Sequence, residues 1–184
     1  MWVEDPKCSI TQGTIVDNVD WGRNDGTNPL SIVMSNACDI EHGHCNFIIV
    51  AALELAEDVL PMTAEFRNKI KENKGGVISS RQKNSLKNLL LDYIHNRNIC
   101  RHFFFDTRPV IEDLGCVLVD FQQIKCVEFQ NVGSLVPIAQ LKHPFVEQMI
   151  MRFTSYTARI PVDRVDEKLI EQYYKEIAGK WLDN

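Results

Sequence analysis

The sequence predicts an α+β domain built on a small, strongly bent antiparallel sheet or barrel. Three observations carry this. Short runs of β-branched, aromatic and other apolar residues are separated by turn residues in the first third of the chain and again after residue 98. Between them, residues 54–97 switch to helical spacing. Two further amphipathic stretches close the chain. The whole of 1–184 reads as one domain, with barrel strands at about 10–53 and 98–141, a helical insertion at about 54–97 and C-terminal helices at about 144–182.

Taken in order, Thr11–Val19 (TQGTIVDNV) reads as the first strand. Asp20–Pro29 is dense in Gly, Asn and Asp and forms a long loop carrying Trp21 and Arg23. Two apolar runs, Leu30–Ala37 and Phe47–Leu53, then flank a Gly-containing polar segment, which predicts a β-hairpin. If that hairpin pairs Ala37 with Asn46, Cys38 and Cys45 face each other across its mouth, with His42 and His44 in the turn. Glu54–Lys74 has helical spacing broken by Pro61, with a second helix starting near Thr63. Ser79 or Ser80 caps a helix over Arg81–Arg97, with Leu86, Leu89, Leu90, Tyr93 and Ile94 on one side. Ile99–Asp106, Cys116–Gln122 and Ile124–Phe129 are three further strands, and Ser134–Leu141 a short one. Pro144–Arg159 places Phe145, Met149, Ile150 and Phe153 on one helical face, and Val165–Trp181 aligns Leu169, Tyr173, Ile177 and Trp181. The first stripe reads as core. The second fits either its own domain or a partner.

Hydrophobic content of 45% and charged content of 24% are ordinary for a globular protein. No apolar run approaches the roughly 18–20 residues that span a bilayer. The N-terminal MWVEDPKCSI lacks the basic and apolar regions of a signal peptide, so the expected location is cytoplasmic, with no membrane partner. The six cysteines then read as thiols, and Cys116 and Cys126, in apolar strand-like runs, as buried core. The net charge of −5 is uneven. Between Arg67 and Arg108 ten Lys/Arg face three acids, a window of +7 that leaves −12 for the rest. A basic middle in an acidic chain is a solvated face or a footprint for RNA, DNA or an acidic protein.

The order QG-x-I-V, loop, PLSIVMSNACDI resembles the opening of MazF/PemK-type toxin barrels. More specifically, IVMSNACDI, RHFFFD, VLVDFQQI and LKHPFVEQMIMRF are similar to a group of bacterial proteins with a Ser-x-x-Cys-Asp motif, here Ser35 to Asp39. The likeness spans roughly residues 10–160. It implies an SH3-like or MazF-like barrel and a setting in phage-defence or toxin–antitoxin neighbourhoods. Arg23 and Pro29 occupy the loop where MazF-type ribonucleases carry arginine and an Arg-Pro pair, but Asn28 stands in the second arginine's place. The helical insertion has no counterpart in the minimal toxin barrel.

Three chemistries are open to these residues. Cys38, His44, Cys45 and Cys100, with His102 as an alternative, offer the thiolates and imidazoles that zinc favours, though C-x6-C is not zinc-ribbon spacing. Cys38 with Asp39 and the nearby histidines contains the members of a Cys-His-Asp device, set too close in sequence for triad geometry. A metal-independent ribonuclease could draw on Arg23, Asp39, Arg101 and His102 for charge stabilisation and proton transfer. Asp120, a single acid in an apolar strand, reads as a hydrogen-bonding anchor. No P-loop, G-x-S-x-G or H-E-x-x-H is present. The leading expectation is a non-enzymatic accessory subunit that contacts another protein of its system. A MazF-like endoribonuclease is the alternative. Convergence of the four ribonuclease candidates in an open pocket would favour the enzyme; their burial in ion pairs would not.

Overall fold

A computed structural model of the chain describes residues 2–7, 9–24, 26, 28–71, 79–97, 101–108 and 110–158. Strands β1 (Val3–Glu4), β2 (Thr14–Asp17) and β3 (Ser31–Val33) lead to helix α1 (Ala37–Glu41) and strand β4 (Phe47–Leu55). The helical excursion comprises α2 (Ala56–Val59), a 3-10 turn at Leu60–Met62, α3 (Ala64–Lys71) and α4 (Ser80–Ile94). Strands β5 (His102–Asp106), β6 (Cys116–Glu128) and β7 (Val136–Leu141) follow, with a 3-10 segment at Phe129–Ser134 before β7, and α5 (Phe145–Thr157) closes the described chain. The predicted helix at Val165–Trp181 lies outside the described residues.

All the strand pairings are antiparallel, in the order β1-β7-β2-β3-β4-β6-β5. The two edges approach each other to give a nearly closed barrel. Trp2, beside β1, packs edge-on against Phe103 and Phe104 of β5, with ring centroids 6.4 and 6.5 Å apart. Alternate residues point inward, as period-2 strands require. Ile15, Ile32, Ala51, Leu53, Phe103, Phe105, Val117, Val119, Ala139 and Leu141 form one core, and Val146 and Met149 of α5 plug it. The outer face is covered twice. Ile40 of α1 packs with Val33, Ile48 and Val50, and Leu60 and Tyr93 of the helical excursion pack with Phe104 and Leu118.

Gly13 shows why the QG pair opens the first strand. Its φ is +82°, and a Cβ there would lie 2.7 Å from Val146 Cγ2, so glycine is needed both for the backbone and for the approach of α5. The outward edge of β5 is also sealed. Asn96, itself at φ +52° and buried, accepts from the Phe104 amide at 2.7 Å and donates to its carbonyl at 2.8 Å. The side chain thereby takes the place of a neighbouring strand.

Three expectations are corrected. The Leu30–Leu53 segment is antiparallel with the expected register, since Val33 pairs with Val50, but the ladder ends near Met34. Asn36 accepts from the Cys38 amide at 3.0 Å and caps α1, so Cys38, Asp39 and Glu41 ride on a helix instead of a hairpin mouth. The two strands expected at 116–122 and 124–129 are one long strand containing a bulge. Leu53 pairs with Val119 and Ala51 with Ile124, so Asp120, Phe121, Gln122 and Gln123 all face the single residue Ala52. Three extra residues invert the alternation. Val117, Val119 and Phe121 join the core, whereas beyond the bulge Ile124 and Cys126 are exposed. Cys126 is therefore not core, and Cys116 is half-buried.

Candidate functional site

The bulge of β6 is where polar side chains from distant parts of the chain meet. A bulge frees backbone groups and re-aims side chains, and such features concentrate near functional sites. Asp120 begins it and is almost fully buried. Its Oδ1 accepts from Arg101 Nε at 3.0 Å and from the Gln122 amide at 3.0 Å, and its Oδ2 accepts from Arg101 Nη2 at 2.7 Å. This is a bidentate guanidinium–carboxylate fork. The Arg101 carbonyl in turn accepts from the Phe121 amide at 3.0 Å. At the other end of the bulge, Gln123 Oε1 accepts from Arg23 Nη2 at 3.0 Å, and the same nitrogen donates to Glu54 at 2.7 Å. Gln122 donates to the Tyr156 hydroxyl at 2.7 Å, joining the bulge to α5. Arg23, in the loop after β2, and Arg101, just before β5, are thus anchored to opposite ends of one four-residue bulge.

The two arginines differ in the depth of their partners. The Arg101 side chain is 49% exposed over a carboxylate that is 3% exposed, whereas Arg23 and Glu54 are both partly exposed. Burial pushes Asp120 up, but the Arg101 fork, the Gln122 amide and the His102 ring outweigh it and hold the carboxyl below its usual range. Arg101 is raised by the same fork against its own desolvation. His102 is 5% exposed, beneath Tyr93 at a ring-centroid distance of 6.1 Å. Desolvation lowers its pKa, with Asp120 opposing and Arg101 assisting. Its Nε2 lies 3.9 Å from Asp120 Oδ2, outside hydrogen-bond reach, and has no partner among the described residues. In this arrangement the ring is enclosed and away from solvent.

Of the predicted ribonuclease residues, the bulge gathers Arg23, Arg101 and His102. Asp39 is elsewhere, in the short exposed helix α1. Arg23 and Arg101 are held in ion pairs, and His102 is enclosed.

The metal candidates are placed differently. Cys38 is exposed on α1, and the Cys45 thiol points at the Asp39 carbonyl at 3.6 Å. His42 and His44 are neighbours, with ring centroids 5.5 Å apart. Cys100 lies outside the described residues. Among the described residues no group of three or more His, Cys, Asp and Glu side chains is arranged to hold a metal ion. The facing Cys38–Cys45 pair is lost because α1 replaces the last rungs of the ladder.

The sequence reading missed Glu54, Gln122, Gln123 and Tyr156 as partners in this network. Glu54, expected in the insertion helix, is the penultimate residue of β4. The tandem glutamines after VLVDF were the available signal, since two amides interrupting an apolar run mark a place where the ladder opens. Among the described residues no helix is long and apolar enough to cross a membrane. No family model matches the chain, and no curated protein matches it either.

Proposed function

We propose that this protein is a non-enzymatic binding subunit of a bacterial phage-defence or toxin–antitoxin-type system, working through contacts with another protein. The observation that carries this reading is the fate of the candidate catalytic groups. Arg101 is committed to the buried Asp120, Arg23 to Glu54, and His102 is sealed under Tyr93. A ribonuclease needs such groups free to meet a phosphate. The nearly closed barrel accords with the MazF-like frame that the resemblance implies, and the assignment to defence rests on that resemblance. The contacts are assigned to the basic excursion α3–α4 and to the C-terminal segment.

The test pairs two measurements. Purified protein is incubated with total RNA in the presence of a chelator, and the native complex is isolated from the cells that encode it. The expected outcome is intact RNA and a stoichiometric protein partner. Metal-independent cleavage at defined sequences, abolished by Arg23→Ala or Arg101→Ala in a folded variant, would overturn this reading in favour of the MazF-like endoribonuclease.

A further inference from the structure

The outward face of α4 has two features that the fold does not use. The helix begins with a capping box, in which Ser79 Oγ accepts from the Gln82 amide at 3.3 Å and Gln82 Oε1 accepts from the Ser79 amide at 3.0 Å. Its inward ridge, with Leu89, Tyr93 and Ile94, packs on Leu60, Phe104 and Leu118. The ridge turned to solvent carries Lys83 and Lys87 over the first two turns and Leu90 and Leu91 over the next. Neither cation has an ion-pair partner among the described residues. Leu90, expected on the buried side, is 38% exposed, as is Leu91.

We propose that this face docks an acidic, leucine-bearing segment of the partner protein, its carboxylates over Lys83 and Lys87 and its apolar side chains over Leu90 and Leu91. The proposal rests on the binding-subunit reading and names the chemistry of the partner. Charge complementarity selects the occupant. A surface with cations at one end and aliphatic side chains at the other matches an amphipathic acidic segment along its whole length. Nucleic acid would use only the cationic end, because the aromatic rings of this region, Phe66 and Tyr93, are turned into the core and leave no stacking platform. Leucines set among charges are also the kind of anchor that excludes water from neighbouring ion pairs.

The test uses the full-length protein, isotope-labelled, with three probes: a synthetic 20-residue Glu/Leu amphipathic peptide, a scrambled peptide of identical composition, and a 20-nucleotide single-stranded RNA. The proposal expects the amphipathic peptide to shift amide resonances of α4 from Lys83 to Leu91. It expects binding at least tenfold tighter than for the scrambled peptide or the RNA at 150 mM salt. Lys83→Glu with Lys87→Glu, and separately Leu90→Asp with Leu91→Asp, should each weaken binding at least tenfold with the barrel resonances unchanged. Equal binding of the scrambled peptide, tighter binding of RNA, or shifts confined to other surfaces would each overturn it. The native partner separates the two levels. A stoichiometric partner retained by both double variants leaves the binding-subunit reading standing and removes this face from it, whereas RNA cleavage without a partner removes both.

Discussion

The two halves of β6 differ in composition and are opposite in fate: CVLVDF (116–121) carries one charge and IKCVE (124–128) two. Cys116–Phe121 pairs with β5 on one side and β4 on the other, and Val117, Leu118 and Val119 are fully buried. Ile124–Glu128 keeps only β4 as a neighbour, and Ile124 and Cys126 are exposed. The difference is not set by composition alone, since Ile124, paired with the buried Ala51, is still exposed. It arises from how many layers each residue meets. The first half lies between α5 and the helical excursion, whereas the second has passed the end of β5 and the reach of the α5 plug. The bulge between them is where the sheet exchanges stability for exposed polar groups, and it is where Arg23 and Arg101 are attached.

This contrast can be broken from either side. The largest effect belongs to the first half. Leu118→Ala should cost about 3–4 kcal/mol, because the site is enclosed on the helical side and cannot collapse without moving Tyr93 and Leu60. Urea denaturation reads it as a shift of midpoint at constant slope. Asp120→Ala should follow at about 3 kcal/mol, below the upper range for a buried pair because Arg101 is half in water once released. Asn96→Ala removes two hydrogen bonds to Phe104 and leaves a buried amide and carbonyl unpaired, at about 2–3 kcal/mol. Amide exchange should localise that loss to β5. The smallest effect belongs to the second half, where Ile124→Ala should change stability by under about 1 kcal/mol. A cost equal to that of Leu118→Ala would show that another surface covers this ribbon.

The pH dependence sharpens the comparison further. The folded carboxyl of Asp120 sits below its ordinary value of 3.8, so the unfolded chain binds its proton first as pH falls. The resulting stability is fully present above the ordinary value and is lost as pH drops through the folded one. The Asp120→Asn variant should therefore lose less stability than the wild type between neutral pH and the acid range, measured as midpoint against pH. Parallel curves would contradict the assignment.

Most of the frame was legible because it depends on local pattern. The positions of β2, β3, β4, β5 and β7, the break at Pro61, the Ser79 cap and the apolar face of α5 follow from periodicity, proline and capping chemistry, whereas β1 at Val3–Glu4 falls before the expected barrel strands. The boundary expected between Gln122 and Ile124 falls on the bulge, yet the continuity of β6 across it did not show, because a bulge and a turn interrupt alternation in the same way. The site was less legible for a related reason. Arg101–Asp120 joins residues nineteen apart, and Arg23–Gln123 joins residues a hundred apart. Neither pairing leaves a periodic trace. Cys38 and Cys45 were misplaced by a single local competitor, the Asn36 cap, which ends the ladder and starts a helix. Asn96 carried no signal at all, since its role is to complete an edge formed by a strand that follows it.

The most direct test of the account measures unfolding and RNA integrity together for wild type, Arg23→Ala and Arg101→Ala. If these arginines serve the bulge, Arg101→Ala lowers stability by about 3–5 kcal/mol, since it leaves the buried Asp120 carboxylate unpaired, Arg23→Ala by less than about 1, and RNA stays intact in all three samples. If the wild type cleaves RNA without metal and Arg101→Ala abolishes cleavage at unchanged stability, the arginines are catalytic and the account is wrong.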